Sequence, residues 1–131
     1  MNIVFPDKSV LLHNGVFHSE KGIKFVDVRD GLTHTILIGE KHVPPGGENI
    51  PPWDCAIFDG HNPACSQRGA GPAFPLAWSP DDMGWKFGSS HPGLCQFVFC
   101  DGTVRPIRNH IDPIVFGLLA QRNDGRSVPE H

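Results

Sequence analysis

The chain has no run of about eighteen apolar residues, so no stretch of it reads as a membrane-spanning helix. Its start, "MNIVFPDKSV", lacks the basic region and apolar stretch of a secretory signal, and read alone it is consistent with the cytosol. No basic stripe is present: Lys and Arg are scattered, the net charge is −3, and "QRNDGR" mixes signs. Nucleic acid is therefore excluded as a partner. There is no C-x-x-C, H-x-x-x-H or H-E-x-x-H, which removes the usual zinc and redox spacings. G-x-S-x-G is missing too, and no Gly-rich phosphate loop opens a helix. Ser89-Ser90-His91 has no assignable orienting acid. No catalytic residue is assigned, and the chain is read as non-enzymatic.

At 131 residues, 39% hydrophobic and 19% charged, the chain is expected to form one domain over 1–131 with a real core. Its 13 Pro and 15 Gly imply many turns and little long helix. "HNGVFH" (13–18) places Asn-Gly at a turn ahead of a short strand-like piece. A single helical turn is expected around 26–30, closed by Gly31 in a left-handed conformation. Thr35-Ile36-Leu37-Ile38 reads as part of a strand, 35–40, buried on both faces.

Residues 43–93 differ in character. They hold nine of the 13 Pro, eight Gly and all three Trp. Pro removes amide donors, so long strands and helices are unfavourable there. A loop-rich flap is expected, ordered by Trp53, Phe58, Phe74, Trp78, Trp85 and Phe87. The alternative is a binding surface whose Trp53, Trp78 and Trp85 faces stack on a glycan or a partner.

"SSHPGLCQFVFCDGTVRPI" (89–107) carries the clearest local signal. Asp101-Gly102 suits a two-residue type I′ hairpin turn. That register pairs Cys100 with Thr103, Phe99 with Val104, Val98 with Arg105 and Phe97 with Pro106. Phe97, Phe99, Val104 and Pro106 then form the core face. Pro106 requires an edge strand or an outward-facing amide side. A helix follows over 113–122, with Asp112 as N-cap and Pro113 in its first turn. Its expected inner face is Ile114, Val115, Leu118, Leu119 and Arg122. Asp124-Gly125 ends it, and "RSVPEH" is expected to fray.

His91 and Asp101 could be read as a metal or acid–base pair. A strand's length separates them, at about 3.4 Å per residue, too far for one shared ion. Structural roles are assigned instead. Asp101-Gly102 makes the turn, and His91 is expected to donate to a backbone carbonyl where the strand begins. Cys95 and Cys100 fall on opposite faces and are expected to be buried free thiols. Cys55 and Cys65 bracket a turn-rich loop and can meet as a disulfide in an exported protein. A Cys55–His61–Cys65 metal site lacks a fourth ligand. The eight His are otherwise dispersed. Asp27/Asp30, Asp59 and Asp81/Asp82 could offer oxygens to Ca²⁺, but none matches the EF-hand pattern. No cofactor is assigned; Ca²⁺ stays as the alternative, on Asp59, Asp81 and Asp82.

"FGSSHPGLCQFVFCDGTVRPIRNHIDPIVFGLLAQRNDG" (87–125) closely resembles the C-terminal part of prepilin-like proteins with an H-x(9)-D-G motif. His91, nine residues, then Asp101-Gly102 reproduce that motif. "NGVF" (14–17) and "VRDGLTHTILIGE" (28–40) resemble the family's N-G-V-F and D-G-T-S-N-T-I-x-x-G-E, with Leu32, Thr33 and His34 as departures. The family is also called domain of unknown function 1559 and is abundant in planctomycete bacteria. Residues 43–86 fall in its variable part. Full-length members look like type IV pilins or pseudopilins, with a leader, a long apolar helix and a β-rich head. The resemblance implies an exported or surface-exposed head, its C-terminal portion, in which Cys55–Cys65 can oxidise. It implies assembly with pilin-like subunits or surface proteins and supplies no catalytic residues. The expected fold is α+β: a small antiparallel sheet of 35–40, 95–100 and 103–108, one short C-terminal helix and a long Pro/Gly/Trp-rich loop region.

Overall fold

The computed structural model describes residues 3–4, 10–11, 15–17 and 22–129. Two short strands, β1 (Ile3–Val4) and β2 (Val10–Leu11), pair antiparallel. The main sheet holds β3 (Ile36–Gly39), β4 (Leu94–Phe99) and β5 (Val104–Arg108), antiparallel in the order β3-β4-β5. A four-residue helix, α1 (Pro63–Ser66), lies in the flap, and α2 (Pro113–Leu119) follows the sheet. The fold is α+β.

The hairpin forms where expected but one residue out of the expected register. Gly102 N donates to Phe99 O and Phe99 N to Thr103 O, both at 2.9 Å, and Gly102 has φ +84°. This is a three-residue loop, a type I turn closed by a left-handed Gly, rather than a two-residue type I′ turn. Val98 therefore faces Val104, and Phe97 faces Arg105. A one-residue slip exchanges the faces of a strand. Ile107 is buried, while Val104 and Pro106 point out. β5 is an edge strand, and Gln96↔Pro106 falls between hydrogen-bonded pairs. The missing amide of Pro106 lies on the open edge, where it discourages strand addition.

β3 is not buried on both faces. Thr35 and Ile36 are buried, but Ile38 is exposed. A register shift between Ile36 and Ile38 sets Ile38 beside Val98 on the outer face. Gly39 lies under Phe97, and a Cβ there would stand 2.4 Å from that ring.

The core packs the inner sheet face on α2. Phe97, Phe116 and Phe87 meet edge to face, with centroids 5.5–6.0 Å apart. Ile36, Leu76, Cys95, Phe99, Ile107 and Leu119 complete the cluster. Phe87, assigned above to the flap, belongs here. Asp112 caps α2 as expected, its Oδ1 accepting from Ile114 N at 2.7 Å. The helix ends at Leu119 rather than 122. Its buried face is Phe116, Gly117 and Leu119, and Ile114 is exposed. Gly117 lets the helix approach Gly71; a Cβ would come 3.1 Å from the Gly71 Cα.

Residues 25–27 form a 3₁₀ turn, earlier than expected, and a second turn brings Gly31 N to Val28 O. Gly31 is left-handed, φ +97°. Gly15–Phe17 form a bend, not a strand; Asn14 and His18 lie outside the described residues. The tail is tied down in part. Val128 packs against the core, and the Asp30 carboxylate accepts the Asp124 and Gly125 amides at 2.9 Å. Glu130 and His131 lie outside the described residues.

Candidate functional site

His91-Pro92-Gly93 turns the chain into β4, with Gly93 left-handed at φ +72°. Among the described residues the His91 imidazole reaches no backbone carbonyl. Its Nε2 lies 3.2 Å from Glu40 Oε1, with both side chains part-exposed. The other Glu40 oxygen accepts from Gln96 N at 2.6 Å, which extends the β3–β4 pairing past Gly39. Ser89 Oγ donates to Leu94 O and accepts from His91 N, so this hydroxyl serves the turn. Glu40 is the acid that sequence spacing did not assign. Burial and the Glu40 charge push the Cys95 thiol up to about 12, which keeps it protonated.

Asp101 stands at the far end of β4. Its Oδ1 accepts from Thr103 N (2.9 Å) and Thr103 Oγ1 (2.7 Å), and its Oδ2 pairs with Arg105 Nη2 at 2.7 Å. The Thr103 hydrogen bonds, then Arg105, hold this carboxyl below the usual range. Arg105 Nη1 donates to Thr33 O at 2.7 Å, and its guanidinium lies 4.3 Å from the Phe99 ring centroid. Asp101 N donates to Leu32 O and Cys100 N to Thr35 O.

These contacts explain the interval. The segment 32–40 lies along β4, and the two motif residues engage its opposite ends: His91 meets Glu40, and the Asp101–Arg105 turn meets Leu32 and Thr33. His91 and Asp101 do not meet. Cys95 and Cys100 are both buried and free.

The flap is organised around the expected disulfide, two of the expected aromatics and an arginine the sequence did not single out. Cys55 and Cys65 form a disulfide, Cα–Cα 5.6 Å, so neither is a metal ligand with His61. Buried Arg68 donates to the carbonyls of Pro52, Trp53, Ala64 and Gln67, at 2.6–3.5 Å. Its guanidinium lies 5.1 Å from the Trp85 ring centroid, and burial lowers its pKa to about 10. Trp85 stacks at a tilt on Trp53, 5.5 Å away, and donates from Nε1 to Gln67 O. Two of the three candidate aromatics are thus used inside the flap. Trp78 is 71% exposed. No sequence spacing marks an arginine that caps carbonyls some fifteen residues away.

Asp82 Oδ2 accepts from Trp78 N (2.5 Å) and Ser79 N (3.3 Å) and lies 3.9 Å from Lys86 Nζ. The Trp78 amide is the main cause that holds its pKa down. Asp81 is exposed, and Asp59 lies on the disulfide loop. The structure does not bring Asp59, Asp81 and Asp82 together: among the described residues no group of three or more His, Cys, Asp or Glu is placed to hold a metal.

Three surfaces remain. Ile38, Val98 and Val104 form a cross-strand row on the outer sheet face. Ile57 and Phe58 project from a 3₁₀ turn inside the disulfide loop. A groove of about 290 Å³ runs between β5 and α2. Among the described residues no helix is long and apolar enough to cross a membrane.

No curated protein and no solved structure matches the chain. One family does, over residues 4–114, and it carries the description "Protein of unknown function (DUF1559)". That span includes both ends of the H-x(9)-D-G motif and the upstream segment it engages, and the chain belongs to the DUF1559 family.

Proposed function

We propose that the chain is a non-enzymatic, exported, pilin-like head module that acts by contacting other proteins, pilin-like subunits among them. The observation that carries this reading is the open row on the sheet. Ile38 (54% exposed) and Val104 (60% exposed) flank Val98 across three strands. Contiguous apolar surface of this kind favours a protein contact. Pro106 discourages strand addition at the β5 edge, which favours the face over that edge as the contact. The Cys55–Cys65 bridge supports an oxidising compartment.

Two experiments test the reading. Intact producing cells are treated with a membrane-impermeant amine reagent and the chain is recovered. Labelling before lysis is expected; labelling only after lysis overturns export. Second, Val104→Glu is compared with the parent by chemical crosslinking on the cell. Loss of crosslinked partners is expected, and an unchanged pattern removes the sheet face from the proposal.

A ligand-binding head is favoured by one specific feature. The ring of Trp78 is exposed while Asp82 fixes its backbone amide, a rigid aromatic face of the kind that stacks on sugars. Glycan-array binding that is lost in Trp78→Ala would put this reading first. Ca²⁺ uptake in equilibrium dialysis, lost in Asp81→Asn/Asp82→Asn, would extend it to a cation.

A further inference from the structure

Ile57 (89%) and Phe58 (90%) are the most exposed large apolar side chains among the described residues. They do not hang from a loose loop. Cys55–Cys65 closes its base, Asn62 caps α1 through Ala64 N at 3.0 Å, and Ser66 Oγ donates to the carbonyls of Gly60 and Asn62 at 3.1 Å. A pair held this way has little freedom left to lose on binding, which favours association.

The same chain carries an open groove. The β5–α2 groove is lined by the apolar Pro106, Ile107, Ile111 and Val115 together with Arg108 and His110. Its 290 Å³ is about ten waters' share of liquid volume, room for an aromatic side chain with part of a neighbour. Asp112 also lines it; Ile114 N donates to its Oδ1, a hydrogen bond that leaves the carboxylate's charge in place, and Arg108 is the one formal cation of the lining.

Charge matches as well. Asp59 adjoins Phe58, and Arg108 borders the groove. Among the described residues neither has an ion-pair partner. Of the other charged or titratable groups nearby, Asp54 accepts from Asn49 N, and His61 ends the 3₁₀ turn. An acidic flank disfavours an anionic lipid surface and can pair with Arg108 at the groove's edge.

We infer that Ile57 and Phe58 of one copy insert into the β5–α2 groove of a second copy, with Asp59 set against Arg108. Donor and receptor are different surfaces, so the contact is heterologous. Such a contact grows an open chain unless its rotation closes a ring. The inference deepens the assembly reading and rests on it.

The test uses the whole oxidised chain in sedimentation velocity over a concentration series. Phe58→Asp and Arg108→Glu both change exposed side chains, and far-UV circular dichroism checks their folds. The parent is expected to form a concentration-dependent series of oligomers. Each variant is expected to weaken association by about tenfold or more. An equimolar mixture of the two keeps one intact donor and one intact receptor, so it is expected to yield a heterodimer that grows no further. A parent monomeric at all concentrations, variants that associate like the parent, or a mixture that stays monomeric each overturn the inference. Association abolished by Val104→Glu but untouched by Phe58→Asp overturns it while leaving the assembly reading in place. Phe58-dependent binding to phosphatidylcholine vesicles without self-association overturns it in favour of a lipid surface.

Discussion

Phe97 and Phe116 in the sheet–helix layer meet each other edge to face, whereas Trp53 and Trp85 in the 43–86 segment meet beside a buried guanidinium. The first region is ordered by apolar area and regular pairing. In the second, Pro removes amides and leaves carbonyls without regular partners. Arg68 there supplies donors to four carbonyls, and a covalent bridge closes the loop. A chain poor in amide donors can thus be ordered by a few hub groups, where a hydrophobic core uses many interchangeable ones. The two regions meet at Phe87 and at Gly71–Gly117, so failure of the core spreads further than failure of a hub.

The largest effect is expected from Phe116→Ala. Removing a fully buried ring costs about 3–5 kcal/mol in comparable cores. Urea denaturation should show one cooperative transition at a lower midpoint, with both regions lost together. A transition confined to the flap would break the comparison.

Cys55→Ser/Cys65→Ser is expected to cost about 2–3 kcal/mol, chiefly through a freer unfolded chain. Hydrogen exchange in the folded flap should then change little, although the midpoint falls. Arg68→Met is expected to cost about 1–3 kcal/mol by stranding carbonyls, with the opposite signature: faster exchange and proteolysis across 49–70 and unchanged protection in β4. Similar exchange maps for the two variants would show that bridge and guanidinium do the same work.

Much of the core region was legible in the sequence. The hairpin and the cap at Asp112 follow from local chemistry that tertiary context did not override, and in the flap the disulfide forms as expected for an exported chain. The register did not follow, because Asp-Gly fits both a two-residue turn and a three-residue loop with a left-handed Gly. What separates them is tertiary: the reach of Arg105 to Thr33 O, and the burial of Ile107. The inner face of α2 was misjudged for a related reason. Over seven residues a helical period fits more than one stripe, and the position of Phe87 and Phe97 selects Phe116. Glu40 and Arg68 were invisible as partners, since Glu40 meets His91 and Gln96, and Arg68 meets Pro52 and Trp53, across more than ten residues with no characteristic spacing.

The smallest effects fall at the two ends of the motif, and they sharpen the comparison within the sheet itself. His91→Gln removes a part-exposed contact to Glu40 and is expected to cost about 0–1 kcal/mol. Asp101→Asn keeps an oxygen for the Thr103 amide and hydroxyl but loses the charge facing Arg105. The Asp101 pKa is lowered in the folded chain, so the unfolded chain binds more protons in the window between the two values, and stability there rises with pH. Its contribution is present above the unfolded carboxyl value and is lost as pH falls through the lower folded one. The parent should therefore exceed Asp101→Asn at neutral pH, and the two stability curves should converge in acid. Curves that stay parallel down to the acid limit would show that the carboxylate's charge adds nothing, leaving the turn to its hydrogen-bond geometry alone.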